Sequence, residues 1–396
     1  MNLFLQMGHG MMELSRRLIP KMTNPSVILS PRDLKEAQMI NYAQKSNGVN
    51  ILLDPQLYAP HCNHPTLTTQ SYWIDNYQTT DIFSNNKILK EKLLDKLLDI
   101  NENIGTSSII LPGFYSDTVN STWLRYHEMI IESVESVQKE KLATICLSEY
   151  SFKDYDSITY LLTQAESWPV DGFYIIPEHP KAEYLVSNPI WLLNLLILCA
   201  FLKNQQKKVV IGYSNQQMLL CSCTNVDAIA SGTFMNVRSF DLGKFNEKSD
   251  NNIKRKRTWY YCPDSLSEYT TEFLDIAQRN NVLKAFSPKG LGGGYADHLF
   301  SGAVPSTINF KENDAFAHYL LSLDYQCSLV SKSNYTTAYD TICDFIDKAQ
   351  HSCDFAERYG VRGRNRDFSI ASEACLSALL NFDKECGFMM KRIWNY

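Results

Sequence analysis

Short apolar runs that stop abruptly in polar or turn residues recur along much of this chain. They include Val27-Ile28-Leu29-Ser30, Ile51-Leu52-Leu53-Asp54, Ile109-Ile110-Leu111-Pro112, Thr144 to Glu149, Gly172 to Glu178 and Val209 to Tyr213. A run that is apolar at every position, rather than at alternate ones, marks a strand buried on both faces. The segments between carry a different period. Leu34, Ala37, Ile40 and Ala43 have helical spacing, as do Ile88, Leu89, Leu93, Leu94, Leu97 and Leu98. Strands alternating with helices predict a parallel sheet covered by helices. With Val226 to Gly232 and Thr258 to Pro263 as the seventh and eighth strands, the units fill residues 25–281. Eight such units in about 255 residues match a (β/α)8 TIM-type barrel. An open doubly wound sheet is the alternative, but no early glycine-rich dinucleotide signature is present, which favours closure. Residues 1–24 read as a lead-in and 282–396 as a helical C-terminal region, with helices around Asp314 to Asp324, Thr336 to His351 and Ser369 to Phe382.

Composition narrows the class without naming it. The 396 residues are 44% hydrophobic and 20% charged, as in an ordinary globular protein. A net charge of −5 argues against a chain that coats nucleic acid non-specifically, while leaving room for a local basic patch. The 11 cysteines follow no disulfide rhythm and several fall inside strand or helix patterns, as reduced core cysteines of a cytoplasmic protein do. No apolar stretch approaches the roughly 18 residues of a membrane span, and no secretory leader is expected. Nothing in the sequence asks for a cofactor.

In a parallel barrel, chemistry gathers where strand C-termini open into loops. Asp54 stands at such an end, followed by Gln56 and Tyr58, and is a candidate general base; its structural alternative is a loop cap. Glu149-Tyr150 and Glu178-His179 end the fourth and fifth strands, so their carboxylates form a second candidate acid/base pair. Either glutamate can equally serve an ion pair. Tyr213 follows the next strand and joins a candidate substrate pocket. His61 and His64 flank Cys62 in metal-like spacing, but only half a site is visible, and a polar surface loop explains it more simply. Lys254, Arg255, Lys256 and Arg257 precede Trp259-Tyr260-Tyr261, pairing phosphate-binding charge with stacking surfaces. Arg362, Arg364 and Arg366 form a second cationic loop.

Taken together, several strand ends resemble the tRNA-guanine transglycosylase superfamily, whose barrel exchanges a base at an N-glycosidic bond. Asp54-Pro55-Gln56-Leu57-Tyr58 stands where that family has Asp-Ser-Gly-Gly-Phe-Gln, and Ser148-Glu149-Tyr150-Ser151-Phe152 where it has Asp-Glu-Cys-Thr-Pro. The unit from Val210-Ile211-Gly212-Tyr213 through Val226-Asp227 to Asn236-Val237-Arg238 is similar in outline to the family's last strand–helix–strand unit. The family's nucleophilic aspartate would fall near Ala230 or Ser231, its substrate-binding aspartate is Ser148 here, and its zinc motif is absent. The resemblance implies a shared scaffold for a nucleobase, nucleotide or nucleic-acid ligand, with Asn236 and Arg238 as further substrate-binding residues and tRNA or DNA among the expected partners. Two functions follow: carboxylate chemistry at a glycosidic bond, or binding and assembly on a barrel that has lost the nucleophile. A metal-dependent hydrolase built on His61 and His64 is a third.

Overall fold

Alternate residues of each barrel strand are buried on opposite sides of the sheet, which is why the runs read as continuously apolar. Phe4, Ile28, Leu52, Ile110, Leu142, Cys146, Tyr174, Val210, Ala228 and Ala230 pack together inside the ring. Leu3, Leu5, Val27, Leu29, Ile51, Leu53, Ile145, Phe173, Ile175 and Val209 pack outward against helices. The structure, a computed structural model, describes residues 1–46, 48–59, 61–74, 87–246 and 257–394.

The strands are β1 (Asn2–Gln6), β2 (Ser26–Leu29), β3 (Asn50–Leu53), β4 (Ser108–Ile110), β5 (Glu140–Leu147), β6 (Gly172–Pro177), β7 (Lys208–Ile211) and β8 (Ala228–Ser231). Their order is β3-β2-β1-β8-β7-β6-β5-β4, and every neighbouring pair is parallel. The ring is nearly closed: at the remaining gap the Ser107 N–H donates to the Ile51 carbonyl at 3.2 Å. This is the expected (β/α)8 barrel, with helices between strands and a helical C-terminal region. Among the described residues, no helix is long and apolar enough to cross a membrane.

Two strand assignments change. The first barrel strand is Asn2–Gln6, inside the segment expected to be a lead-in, and it pairs with both β2 and β8. The expected eighth strand, Thr258 to Pro263, lies outside the barrel. Its Trp259–Cys262 portion, β9, pairs antiparallel with β10, Ser267–Thr270. The physical reason is that aromatic, β-prone residues suit a hairpin as well as a barrel strand. The hairpin's turn places Leu266 at φ 50°, so no glycine or asparagine announces it.

The hairpin belongs to a long excursion between β8 and the helix Glu312–Val330. That helix packs over β1, beside the helix Met12–Leu18 and the 3-10 segment Gln216–Thr224, where the eighth helix of such a barrel belongs. The excursion has its own small core, including Tyr260, Tyr269, Leu274, Phe286 and Phe310. Its hairpin, through Trp259 and Glu268, lines a cleft shared with His9 after β1 and the loop after β8, and so builds a wall where a barrel usually has a short loop.

One glycine is required by the interior. A Cβ at Gly212 would lie 2.5 Å from the Tyr174 hydroxyl, so only glycine lets that ring reach the barrel axis. Gly212→Ala is expected to lower stability by about 1–3 kcal/mol through overpacking, read by urea unfolding. An unchanged midpoint would show that Tyr174 does not fill this space.

Candidate functional site: an arginine-lined cleft at the β8 and β1 mouth

The residues singled out from sequence fall into three separate places. The first is the barrel interior. Asp54 follows β3 directly and is fully buried, with Gln56, Tyr58, Tyr174 and Tyr213 around it. One of its oxygens accepts from the Gln56 N–H at 3.0 Å and from the Tyr58 hydroxyl. The other accepts from the Tyr174 and Tyr213 hydroxyls, each at 3.3 Å. Gln56 and Tyr213 both adopt left-handed backbone, φ 54° and 52°, and are tied together by a 2.9 Å bond from Gln56 Nε2 to the Tyr213 hydroxyl. Strained backbone of this kind persists only where its surroundings hold it. Phe240 and Phe245 close over the cage, each ring 5.4 Å from that of Tyr58. Burial pushes the Asp54 carboxyl up to about 6, the hydrogen bonds only partly opposing it. Asp54 therefore serves a sealed polar plug, not an open mouth.

The second place is the rim of β5 and β6. Glu178 accepts from the Tyr115 hydroxyl at 2.7 Å and from the Glu149 N–H at 3.2 Å. Burial raises its pKa above the ordinary carboxylate value. Glu149 pairs with Lys153 and accepts from the Lys181 N–H at 3.2 Å; its bond to Lys153 holds its pKa low. These glutamates are adjacent, as their strands are, and clamp the loops around them. Tyr150 is 67% exposed. His179 is buried against Trp191, with Nδ1 at 3.0 Å from the Glu183 carbonyl, and burial drops its pKa to about 4.

The third place is a cleft of about 720 Å³. Its lining comes from the β1 loop (His9), the loop after β8 (Thr233, Phe234, Met235, Asn236, Arg238), the hairpin (Trp259, Glu268), the helix Glu312–Val330 (Phe316, Tyr319) and Arg366. Its floor is an ionic triad. Glu268, 3% exposed, receives Arg366 Nη1 at 2.6 Å on one oxygen. The other receives the Tyr184 hydroxyl at 2.8 Å and Arg238 Nη1 at 3.4 Å. Arg238 Nε donates to the Gly232 carbonyl at 2.7 Å, folding the loop after β8 back on itself. The Arg238 guanidinium lies 3.5 Å above the Tyr319 ring, and that of Arg366 lies 4.3 Å from the Trp259 ring. Burial opposes a charge on Glu268, but Arg366 and Arg238 outweigh it and hold its pKa below the usual value.

Of the sequence candidates, the fold thus gathers Asn236, Arg238, Arg257 and Arg366 on one cleft and leaves Asp54, Glu149 and Glu178 elsewhere. The cationic loop divides. Arg366 turns into the cleft, whereas Arg362 pairs at 3.9 Å with Glu357 and, with Arg364, lines a separate surface depression. Lys254, Arg255 and Lys256 lie outside the described residues. His61 is exposed, and among the described residues no three His, Cys, Asp or Glu side chains are placed to hold a metal ion.

Glu268, Tyr319, Phe316 and Thr233 are cleft residues that sequence reading missed. Glu268 carries no local sequence signal of its role: it lies in the short strand Ser267–Thr270, whose burial at every position is set by the fold. A buried acid of this kind calls for a cationic partner. No family model matches this chain, and no curated protein matches it significantly.

Proposed function

We propose that this protein binds an anionic ligand carrying a flat ring, of the nucleotide class, in the cleft at the β8 and β1 mouth. The observation that carries the reading is the triad: two guanidinium groups share the single carboxylate of Glu268 and are backed by aromatic rings. Four cationic side chains and two carboxylates line the cleft, in a protein whose net charge is −5. Such a local excess of positive charge favours an anion. Trp259 and Phe316 offer faces on which a base can stack. A nucleobase is also what the transglycosylase-like strand ends lead one to expect.

Binding, rather than turnover, is the reading this arrangement supports. Glu268 is held ionised and tied by three donors, which suits positioning better than proton transfer. Titration calorimetry with purified protein and a panel of nucleosides and nucleoside monophosphates tests the reading. Nucleotide affinity is expected to fall with added salt. Trp259→Ala is expected to weaken it about 5- to 150-fold, as loss of one stacking face does. If no member of the panel binds at low ionic strength, the reading fails.

A further inference from the structure

Among the described residues, the floor of this cleft holds one hydroxyl without a partner and one arginine N–H with a weak one. Thr233 follows Gly232 at the end of β8; it is 3% exposed and lines the cleft, yet its Oγ1 has no hydrogen-bond partner among the described residues. A buried hydroxyl without a partner is uncommon and asks for a reason. Among the described residues, Arg366 Nη2 donates only to the thioether of Met235, which stands two residues after Thr233, at 3.1 Å. A thioether is a weak acceptor, so that N–H is poorly served. The β1 loop passes tightly against the same turn: a Cβ at Gly8 would lie 3.3 Å from Val237 and 3.6 Å from Thr233 Oγ1.

We infer that the floor at Thr233 and Arg366 is the subsite for a terminal phosphomonoester on a nucleoside, an assignment that rests on the nucleotide-class reading above. Chemistry selects phosphate and position selects an end group. These two groups are donors, and a phosphomonoester offers several acceptor oxygens and close to two negative charges. Arginine forks and hydroxyls are the groups that hold it. Thr233, Arg238 and Glu268 are each nearly fully buried, so they stand at the bottom of the cleft and not on its rim. A bridging phosphodiester needs an exit on both sides; a terminal phosphate needs one. The ring would then lie outward, towards Trp259. A free nucleotide and the phosphorylated end of an oligonucleotide present the same chemistry.

Thr233→Val keeps the shape of the side chain and removes the hydroxyl, while Thr233→Ser keeps the hydroxyl and serves as the rescue. Titration calorimetry on the full chain would use inorganic phosphate, a nucleoside, its 5′-monophosphate, and a tetranucleotide with or without a 5′-phosphate. Wild type is expected to bind the monophosphate at least tenfold more tightly than the nucleoside. Thr233→Val is expected to lose about tenfold for the monophosphate and for inorganic phosphate, with the nucleoside unchanged and Thr233→Ser close to wild type. Equal gains from the phosphate on the tetranucleotide and on the nucleoside assign the ligand to a nucleic-acid end. A gain confined to the nucleoside assigns it to a free nucleotide. If nucleoside and monophosphate bind equally, or Thr233→Val and Thr233→Ser both bind the monophosphate as wild type does, the subsite is wrong. In that case a loss on Trp259→Ala still upholds the nucleotide-class reading. If wild type binds none of these compounds, that reading falls and the subsite with it.

Discussion

Glu268→Gln is expected to destabilise the protein by about 3–5 kcal/mol at neutral pH, the usual cost of leaving a buried charge without its partner. The change preserves shape, so the effect isolates charge. In the wild type, Arg238 and Arg366 both lean on this carboxylate, and Arg238 is itself only 2% exposed. Without it, the Arg238 guanidinium keeps the Gly232 carbonyl and the Tyr319 ring but no counter-charge among the described residues. Urea unfolding of the variant, followed by tryptophan fluorescence, gives the number. Adding Arg366→Met should recover part of the loss, because the pair of changes shares one interaction. The pH dependence has a definite sign. Because the folded-state pKa of Glu268 is held below its ordinary 4.5, its contribution is full above that value and is lost as pH falls through the folded value. Glu268→Gln should remove that acid sensitivity. A variant as stable as wild type would mean that the triad does not bear on the fold.

Asp54→Asn should change the pH profile in the opposite sense. The Asp54 carboxyl has an ordinary value of 3.8 and a folded value of about 6. Below the first, both states are protonated and no penalty exists. Between the two, the unfolded chain ionises while the folded one does not, so stability falls as pH rises. Above the second, the deficit is constant at about 3 kcal/mol, from 1.36 kcal/mol per pKa unit. Asparagine cannot ionise and still accepts from Gln56 and Tyr58, while the Tyr174 and Tyr213 hydroxyls can turn to accept from its amide. Relative to wild type, the variant should therefore gain about 3 kcal/mol between pH 4 and pH 7. Urea unfolding at intervals across that range measures it, and parallel profiles for the two proteins would refute it. The cage thus gives the barrel interior one shared polar centre, at a cost in stability near neutral pH.

These two carboxylates show how far the chain could be read in advance. Asp54 was visible because it ends a run of apolar residues, and its place after β3 is as expected. Its chemistry was not visible. The rings of Tyr174, in β6, and Tyr213, just past β7, come from more than a hundred residues away, and they fill the space beside Asp54. Nothing beside Glu268 in sequence explains it; its partners are Arg238, 30 residues before, and Arg366, 98 residues after. Arg238 is a candidate through the outline of the transglycosylase-like unit that ends at it, and the fold sets it in the lining of the cleft. Arg362, Arg364 and Arg366 looked equivalent as alternate residues of one loop, yet Arg366 alone turns into the cleft.

The strands divide in the same way. Burial on two faces leaves an imprint on consecutive residues, so β2 to β8 could be recognised from the chain as members of a helix-covered parallel barrel. Pairing leaves no such imprint. β1 closes onto β8 across the length of the barrel, with Asn2 beside Ala228, and neither segment carries a mark of the other. The same holds for the hairpin: Trp259–Cys262 has the apolar, aromatic character of a barrel strand, but packing against Ser267–Thr270 turns it into the wall of a cleft. Local periodicity records how deeply a residue is buried. Coulomb attraction and stacking depend on distance through space, so the partners that hold Arg238 in the cleft appear once the chain is folded.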